Sequence, residues 1–471
     1  MVSVKKKIVF IILLSTLLNS CSIGKKYSRP NIAVPEHFRD QSIENKNSIN
    51  LKWKTFFKDP VLVQLIEKAL EKNAEISIAI ISLEQVELNY RQSKQSLLPI
   101  IGFTAGSSRS WISKNSLNGS LVEQFSSRNY IDDFDTSVRL SWEADIWGKA
   151  KLQKEQALIG YFMQKENLSA LKTRIITQVA QAYYNLIALD EQLKIAQTNV
   201  FLSDKTLEMT KLQYQYSLTS SVGVAQSEAQ KKTAEMIIPV AKKNIAVQEN
   251  ALSILCGQYP NAIERAGYLE SINTLADFET GVPVDMLANR PDVKAAEYDL
   301  MISNVRTNLA KIDMYPTFSI TASSGLNSFN FSNWINIPGS LIKNMGVNLT
   351  QPIFNKAALK TAYKIAELNQ EKLDKKFKQT IIIAAGEVAD ALAIIKNTDE
   401  QLFLATEKGK SLTKASEDVD LLYKNAKANY LEVIIAQNNA LENELEIIAM
   451  KKEKLTSIIV LYRSLGGGSQ E

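Results

Sequence analysis

Between Asp133 and Trp147 the sequence alternates without a break. Phe134, Thr136, Val138, Leu140, Trp142, Ala144 and Ile146 take one parity, and Asp133, Asp135, Ser137, Arg139, Ser141, Glu143 and Asp145 take the other. Successive side chains of a strand point to opposite faces, so this period predicts a strand with an apolar solvent on one side and water on the other. The run exceeds the ~9–11 residues that a tilted strand needs to cross a bilayer. Trp142 and Trp147 lie near its C-terminal end, where an interfacial girdle of aromatic residues belongs.

The rest of the chain does not have helical-membrane composition: 45% of its 471 residues are hydrophobic and 22% charged. The one long apolar run, Ile8 to Leu18, follows Lys5, Lys6 and Lys7 and is too short to span as a stable helix, so residues 1–20 read as a secretory signal peptide. It ends in Leu18-Asn19-Ser20-Cys21, which resembles a bacterial lipoprotein box, with Asn19 departing from the small or aliphatic residue usual there. Cys21 is the expected lipidation site, carrying acyl chains such as palmitate as a covalent anchor at about 0.8 kcal/mol per buried CH₂. Residues 21–50, with Pro30 and Pro35, read as a lipid-anchored tether.

Several chemistries lack material. His37, the only histidine, lies in the tether, so no metal site or histidine-based triad is expected, and no phosphate-cradling glycine loop is present. Cys256 sits at helical spacing in Leu252 to Gly257 and reads as a small core residue. Asp292, Glu297 and Asp299 could be taken for paired catalytic carboxylates, but Asp292 falls where a first helical turn welcomes negative charge. The net charge of +5 falls to about +2 once the three signal lysines are removed, without the basic face that nucleic acid requires. Neither a catalytic residue nor a cofactor is expected.

Along the chain, Asp59-Pro60 starts a helix with a capping residue before proline, and the helical pattern continues to Leu98, where Pro99 stops it. Ile101 to Trp111 is a second strand, Ser113 to Asp132 a polar external loop, and Lys149 to about Tyr216 a helix on the order of 100 Å if continuous. After a turn in Ser217 to Gly223, a helix returns to Cys256, interrupted by Pro239. The pattern then repeats. Pro291 opens a helix to Met314, strands alternate through Phe318, Ile320, Ala322 and Leu326 and through Met345, Val347, Leu349 and Ile353, and a proline-free helix follows Asn355. Asp190-Glu191-Gln192-Leu193 matches Asp399-Glu400-Gln401-Leu402, and Val138 matches Val347, both at an offset of 209. Leu98-Pro99 matches Tyr315-Pro316 at 217, and Ala229-Gln230 matches Ala436-Gln437 at 207. Residues 51–260 and 291–468 are therefore two copies of a helix, hairpin, long helix, turn, helix unit, joined by a linker at 261–290 and followed by a tail at 469–471.

Four membrane-length strands cannot close on themselves, and an open edge in hydrocarbon leaves backbone groups unpaired at several kcal/mol each. The smallest usual barrel has about eight strands. Several chains must then share one barrel, embedded in lipid, while the long helices pack side by side and continue its wall as a coiled-coil tunnel.

Three separated motifs carry a resemblance. Trp142-Glu143-Ala144-Asp145-Ile146-Trp147-Gly148-Lys149, Val282-Pro283-Val284-Asp285-Met286-Leu287-Ala288-Asn289-Arg290-Pro291-Asp292-Val293 and Leu461-Tyr462-Arg463-Ser464-Leu465-Gly466-Gly467-Gly468 are similar to signatures of the TolC-like outer-membrane factors. The match is to the lipoprotein branch that serves resistance-nodulation-division efflux pumps. The resemblance implies a homotrimer with a twelve-stranded barrel, a helical tunnel and a belt at mid-tunnel. It also implies an outer membrane of a Gram-negative bacterium, a periplasmic tip opened by an adaptor protein, and an inner-membrane pump that supplies the energy. The expected function is a passive exit duct for small molecules. The alternatives are an exit duct for type I protein secretion and a non-conducting coiled-coil lipoprotein scaffold.

Two sets of functional positions follow. The inter-helix turns are equivalent under the repeat and form the expected gate and adaptor contact: Thr219, Ser220, Ser221 and Gly223 in one, and Lys424, Ala426, Lys427, Asn429, Tyr430 and Glu432 in the other. Relatives usually carry a glycine and nearby aspartates here; Thr219 and Ala426 take the glycine positions, Glu432 matches one aspartate and Ile435 the other. Glu432 is the leading gate residue because copies converging on an axis repel one another and bind cations, with Lys424 and Lys427 offsetting that charge. Its bland alternative is a solvated helix-surface glutamate. Asp133, Asp135, Glu143 and Asp145 against Arg139 are expected to line the barrel lumen and bias it toward cations.

Overall fold

The computed structural model describes residues 24–32, 52–126, 128–265, 267, 269 and 289–468. The signal peptide, Cys21, His37, most of the tether and of the 261–290 linker, and the C-terminal tail lie outside the described residues. The described chain divides into two units. One takes the residues up to Pro30 with Gln85–Phe162 and Tyr298–Lys375, and the other takes those of Asn31–Glu84, Met163–Glu297 and Lys376–Glu471.

In the first unit β1 (Ile100–Trp111), β2 (Tyr130–Glu143), β3 (Thr317–Ser328) and β4 (Leu341–Thr350) form one antiparallel sheet in chain order. Register decides which residues share a face. Phe103 pairs with Val138, Val138 with Ser324, and Ser324 with Lys343; one step along, Ile101 pairs with Leu140, Leu140 with Ala322, and Ala322 with Met345. One face therefore collects Ile101, Phe103, Val138, Leu140, Trp142, Phe318, Ile320, Met345, Val347 and Leu349, with Ser324, Lys343 and the Arg109–Asp132 pair as its polar members. The other collects Thr104, Ser108, Asp133, Asp135, Ser137, Arg139, Ser319, Thr321, Ser323, Asn344 and Asn348. Among the described residues this face is left uncovered: Phe103 is 69% and Met345 80% exposed. Aromatic residues bracket it. At one end Trp142 donates to the Leu97 carbonyl (2.9 Å) and Trp147 to that of Pro316 (2.6 Å); at the other, Phe134 meets Phe331 and Trp334 at 5.5 and 5.4 Å. An apolar band between two aromatic ends is the pattern expected of a lipid-facing sheet.

Strand β2 starts three residues earlier than the alternation predicts and ends at Glu143, not Trp147. The alternation of Ala144 to Ile146 continues past the strand because Asp145 has another task. Its carboxylate accepts from the N–H groups of Ala150 (2.9 Å) and Lys151 (3.2 Å), opening the next helix across Gly148, whose φ of +76° lets the chain turn. The polar segment between β1 and β2 also contains a helix, Leu117–Ser126. Leu117, Leu121 and Phe125 recur every four residues, and the Ser116 hydroxyl accepts the Gly119 N–H at 3.1 Å.

The helices, in chain order, are α1 (Trp53–Phe56), α2 (Pro60–Lys72), α3 (Ala74–Ser93), α4 (Leu117–Ser126), α5 (Lys149–Gln215), α6 (Ser221–Leu255), α7 (Pro291–Ile312), α8 (Ala358–Lys424) and α9 (Tyr430–Ser464). Asp59 caps α2 as expected, accepting from Val61 and Leu62 at 2.8 and 3.3 Å. The single helix expected from Pro60 to Leu98 is instead two. Asn73 leaves helical geometry with ψ 128°, accepts from Glu75 (2.9 Å) and donates to the Leu255 carbonyl (2.9 Å), so tertiary pairing overrides local periodicity. Pro239 does not interrupt α6. One lost hydrogen bond is tolerated where buried Ala234 and Ala241 hold both sides of the proline in place.

The repeat is closer than sequence matching indicates. Both α5 and α8 have 67 residues, α6 and α9 have 35, and all four boundaries are related by 209. The offset of 207 for Ala229-Gln230 is thus a chance match, two residues off.

In the second unit the core lies where α1 and α2 pack on the middle of α5 and the ends of α6 and α9. Trp53, Phe57, Leu62, Ile66, Ile175, Val179, Tyr183, Leu252, Cys256 and Tyr462 are all buried there. Cys256 is the small core residue expected, its thiol pushed up to about 11 by burial. Arg290, 5% exposed, ties α7 to both other helices of its repeat: it donates to Asp292 (2.7 Å), Glu387 (2.8 Å) and the Ser464 carbonyl (3.3 Å). Burial opposes charge on Asp292, but the hydrogen bonds and positive charge of Arg290 win and hold its carboxyl below the usual range.

Candidate functional site

Two arrangements could act on a passing solute. The first is the polar face of the sheet. Asp133, Asp135, Arg139 and Glu143 all lie on it, as the alternation predicts, and their side chains form a ladder across strands. Asn327 donates to Asp133 (2.7 Å), the Ser137 hydroxyl donates to Asp135 (3.1 Å), Arg139 donates to Ser137 (3.2 Å) and approaches Asp135 (3.6 Å), and Thr104 meets Ser137 (3.1 Å). Asp145 drops out of this set because it caps α5. Gly325 has to be glycine: a Cβ there would stand 2.1 Å from the Thr136 carbonyl oxygen. With Arg139 set against Asp135, the face keeps the negative charges of Asp133 and Glu143 and an otherwise hydroxyl- and amide-rich surface.

The second arrangement is the pair of inter-helix turns. Ser217 (φ +60°) and Ala426 (φ +55°), related by 209, hold the left-handed positions. Thr219, expected to stand at the glycine position, does not have this backbone, because the 207 offset misplaced it. The N–H groups of Leu218 and Lys427 reach back to the carbonyls of Gln213 and Leu422, both at 2.8 Å, and close the two helices in the same way. The turns then meet: a Cβ on Gly223 would lie 2.8 Å from the Thr219 hydroxyl and 3.3 Å from the Tyr430 ring.

Glu432 has a structural duty beside any role in gating. It is the third residue of α9, where its carboxylate accepts the Asn429 N–H (2.9 Å) while Asn429 accepts its own N–H (3.0 Å), a complete capping box. Lys424 does not offset it; it pairs with Asp420, one turn back on the same helix, at 2.5 Å.

Behind the turns lies a buried polar cluster that sequence reasoning missed. Tyr423, 2% exposed, bonds through its hydroxyl to Thr210 (2.7 Å), Thr210 meets Ser227 (3.2 Å), and Gln213 donates to the Tyr423 carbonyl (2.7 Å). Burial pushes the Tyr423 phenol above its ordinary value. The cluster pins the second helical hairpin to the first. Its one visible sign in the sequence is that Tyr423 and Tyr214 occupy equivalent places in the last turns of α8 and α5.

Among the described residues no group of His, Cys, Asp and Glu could hold a metal ion, and no helix is long and apolar enough to cross a membrane. The chain is 26% identical over 472 residues to the toluene efflux pump outer membrane protein TtgC of Pseudomonas putida, a match covering 97% of this chain and 94% of that one. It is equally identical over 459 residues to the cation efflux system protein CusC of Escherichia coli, covering 96% of this chain and 97% of that one. The crystal structure of the CmeC outer membrane channel of Campylobacter jejuni superposes with a TM-score of 0.85 at 23% identity, over 96% of each chain. The sequence profile of outer membrane efflux proteins matches residues 65–258 and 282–467, which takes in most of both repeats, and the chain belongs to that family.

Proposed function

We propose that three copies of the chain close one twelve-stranded barrel in the outer membrane and form the passive exit duct of a tripartite efflux pump. The observation that carries this reading is the four-stranded sheet, apolar on one face and polar on the other, with β1 and β4 unpaired on their outer edges among the described residues. Sister chains satisfy those edges, the apolar faces meet lipid and the polar faces line a wet lumen. The long helices continue the duct into the periplasm. There the turns around Gly223 and Tyr430 form the aperture that an adaptor protein opens, and a resistance-nodulation-division pump in the inner membrane drives export. Acyl chains on Cys21 anchor each chain beside the barrel. The protein moves solutes without chemistry of its own.

Small molecules are the cargo, with cations favoured by the residual negative charge of Asp133 and Glu143. Purified protein in planar bilayers tests this: the expected result is discrete conductance with a reversal potential toward the cation equilibrium potential across a salt gradient. Protein that inserts but passes no current would make it a scaffold and overturn the duct.

A further inference from the structure

We propose that Asn308 is a clamp for the chain's own N-terminus, fixing where the anchored end of the protein leaves the helices. The carboxamide of Asn308 answers both backbone groups of Lys25: its oxygen accepts the Lys25 N–H (3.1 Å) and its nitrogen donates to the Lys25 carbonyl (3.0 Å). A carboxamide carries a donor and an acceptor side by side on one planar group, so it pairs with the N–H and carbonyl of a passing residue as a neighbouring strand would. Asn308 is 9% exposed, and Thr307 beside it bonds to the Ala366 carbonyl of α8 (3.2 Å), so the clamp stands on a fixed seam between α7 and α8.

Gly24 makes the second, independent requirement. Its φ of +144° is one that side chains rarely adopt, and a Cβ there would fall 2.6 Å from the Asn308 carboxamide. The segment that follows lies along both helices, enclosing with them a cleft of about 430 Å³ in which Lys25 and Lys26 share the lining with Glu367, Glu371 and Asp374. Opposite charge holds the basic residues to that side.

The position has a consequence for anchoring, which rests on the reading of Cys21 as the lipid-bearing first residue. Asn308 lies four residues before the end of α7, about 6 Å along the helix, and β3 begins five residues after that end. Cys21 stands four positions before Lys25, so an extended chain reaches at most about 14 Å from the clamp. The clamp thus keeps the acyl chains near the helix-side rim of the sheet.

Trypsin provides the test, since it cuts after Lys25 and Lys26 only when the segment leaves Asn308. In full-length protein in detergent, Asn308→Ala and Gly24→Ala should each release the N-terminal peptide about tenfold faster than wild type, and Asn308→Asp, which keeps only the acceptor, by less. Melting temperature and conductance should not change. Wild-type release rates in both alanine variants would overturn the clamp. Should Asn308→Ala not assemble, Gly24→Ala decides alone, because it lies outside every helix. The mass of the released peptide separates the two readings: a bare Cys21 defeats the lipid anchor and leaves the clamp to stand or fall on the rates.

Discussion

Arg290 is the position at which a single substitution should tell most about what holds a repeat together. Its side chain is 6% exposed and is set between Asp292 and Glu387, with the Ser464 carbonyl as a further acceptor. Replacing it by methionine preserves volume and leaves two carboxylates without their cation. Breaking a buried pair in this way costs about 3–5 kcal/mol when the abandoned charge stays dry. Here Asp292 and Glu387 keep 47% and 31% exposure. Both regain part of their hydration, which brings the expected loss to about 2–3 kcal/mol. A chain of 471 residues unfolds with an entropy of roughly 1 kcal/mol per kelvin, so the melting temperature should fall by about 2–3 °C. Lysine should recover less than half of that, because it cannot present the planar fork that Asp292 accepts at 3.0 and 2.7 Å. The pH dependence gives a second reading of the same contact. The folded carboxyl of Asp292 titrates below its unfolded value, so its contribution is present above about pH 4 and is lost as pH falls through the depressed value. Scanning fluorimetry from pH 7 to 3 should therefore show the gap between wild type and Arg290→Met narrowing as pH falls, starting while wild-type Asp292 is still charged, because burial without the Arg290 cation raises the Asp292 carboxyl of the variant. A methionine variant that melts like wild type at pH 7, or a gap independent of pH, would refute the account.

Other positions are open to equally direct tests. Glu432→Gln keeps the reach-back bond of the capping box and removes the charge, whereas Glu432→Ala removes both. Raised conductance in the glutamine variant identifies the charge as the restraint, while an effect confined to alanine identifies the cap, at about 1 kcal/mol. Asp133→Asn with Glu143→Gln should abolish cation preference in the reversal potential, and a preference that survives places selectivity elsewhere. Gly223→Val should force the Tyr430 ring aside and increase entry of large antibiotics into cells expressing the variant; unchanged susceptibility would count against a tight seam there.

The sheet and the duplication were legible in the sequence because both are written in period. Alternation is insensitive to context when one face meets lipid and the other water, so the four strands and their faces appeared, although β2 and β4 were each expected three or four residues too far along the chain. Helix ends set by tertiary partners did not appear. The break at Asn73 depends on the Leu255 carbonyl, 182 residues away, and no local pattern announces it. Asp145 looked like one more polar residue in an alternating strand, although Gly148 three positions on was the available sign of a turn. The turns were located correctly but aligned two residues out, since Ala-Gln dipeptides are common and helix lengths cannot be counted through a continuous polar-apolar pattern. Tyr423 was overlooked for a related reason: a tyrosine in a last turn carries no mark of whether it faces a neighbouring hairpin or water.

That last ambiguity bears on how a duct built from repeats could open. The two hairpins have equal lengths and equivalent turns, but Tyr423 is 2% exposed and its counterpart Tyr214 is 50% exposed. In a closed ring of alternating hairpins, the side of hairpin two that meets hairpin one within a chain corresponds to the side of hairpin one that meets the adjoining chain. Tyr214 then faces a junction between subunits. Thr210 and Gln213 bond to Tyr423, and Ser227 bonds to Thr210; adding 209 to each of the three gives Val419, Leu422 and Ala436. Every polar partner has an apolar counterpart. In the proposed ring the junction within a chain is closed by hydrogen bonds, each worth about 1 kcal/mol, and the junction between chains is expected to be apolar, which slides more readily because it sets no donor against an acceptor. Tyr423→Phe should loosen the closed state and raise basal conductance, while Tyr214→Phe should leave it unchanged. Equal effects of the two substitutions would show that the two junctions are held alike and that the asymmetry of the chain does not direct its opening.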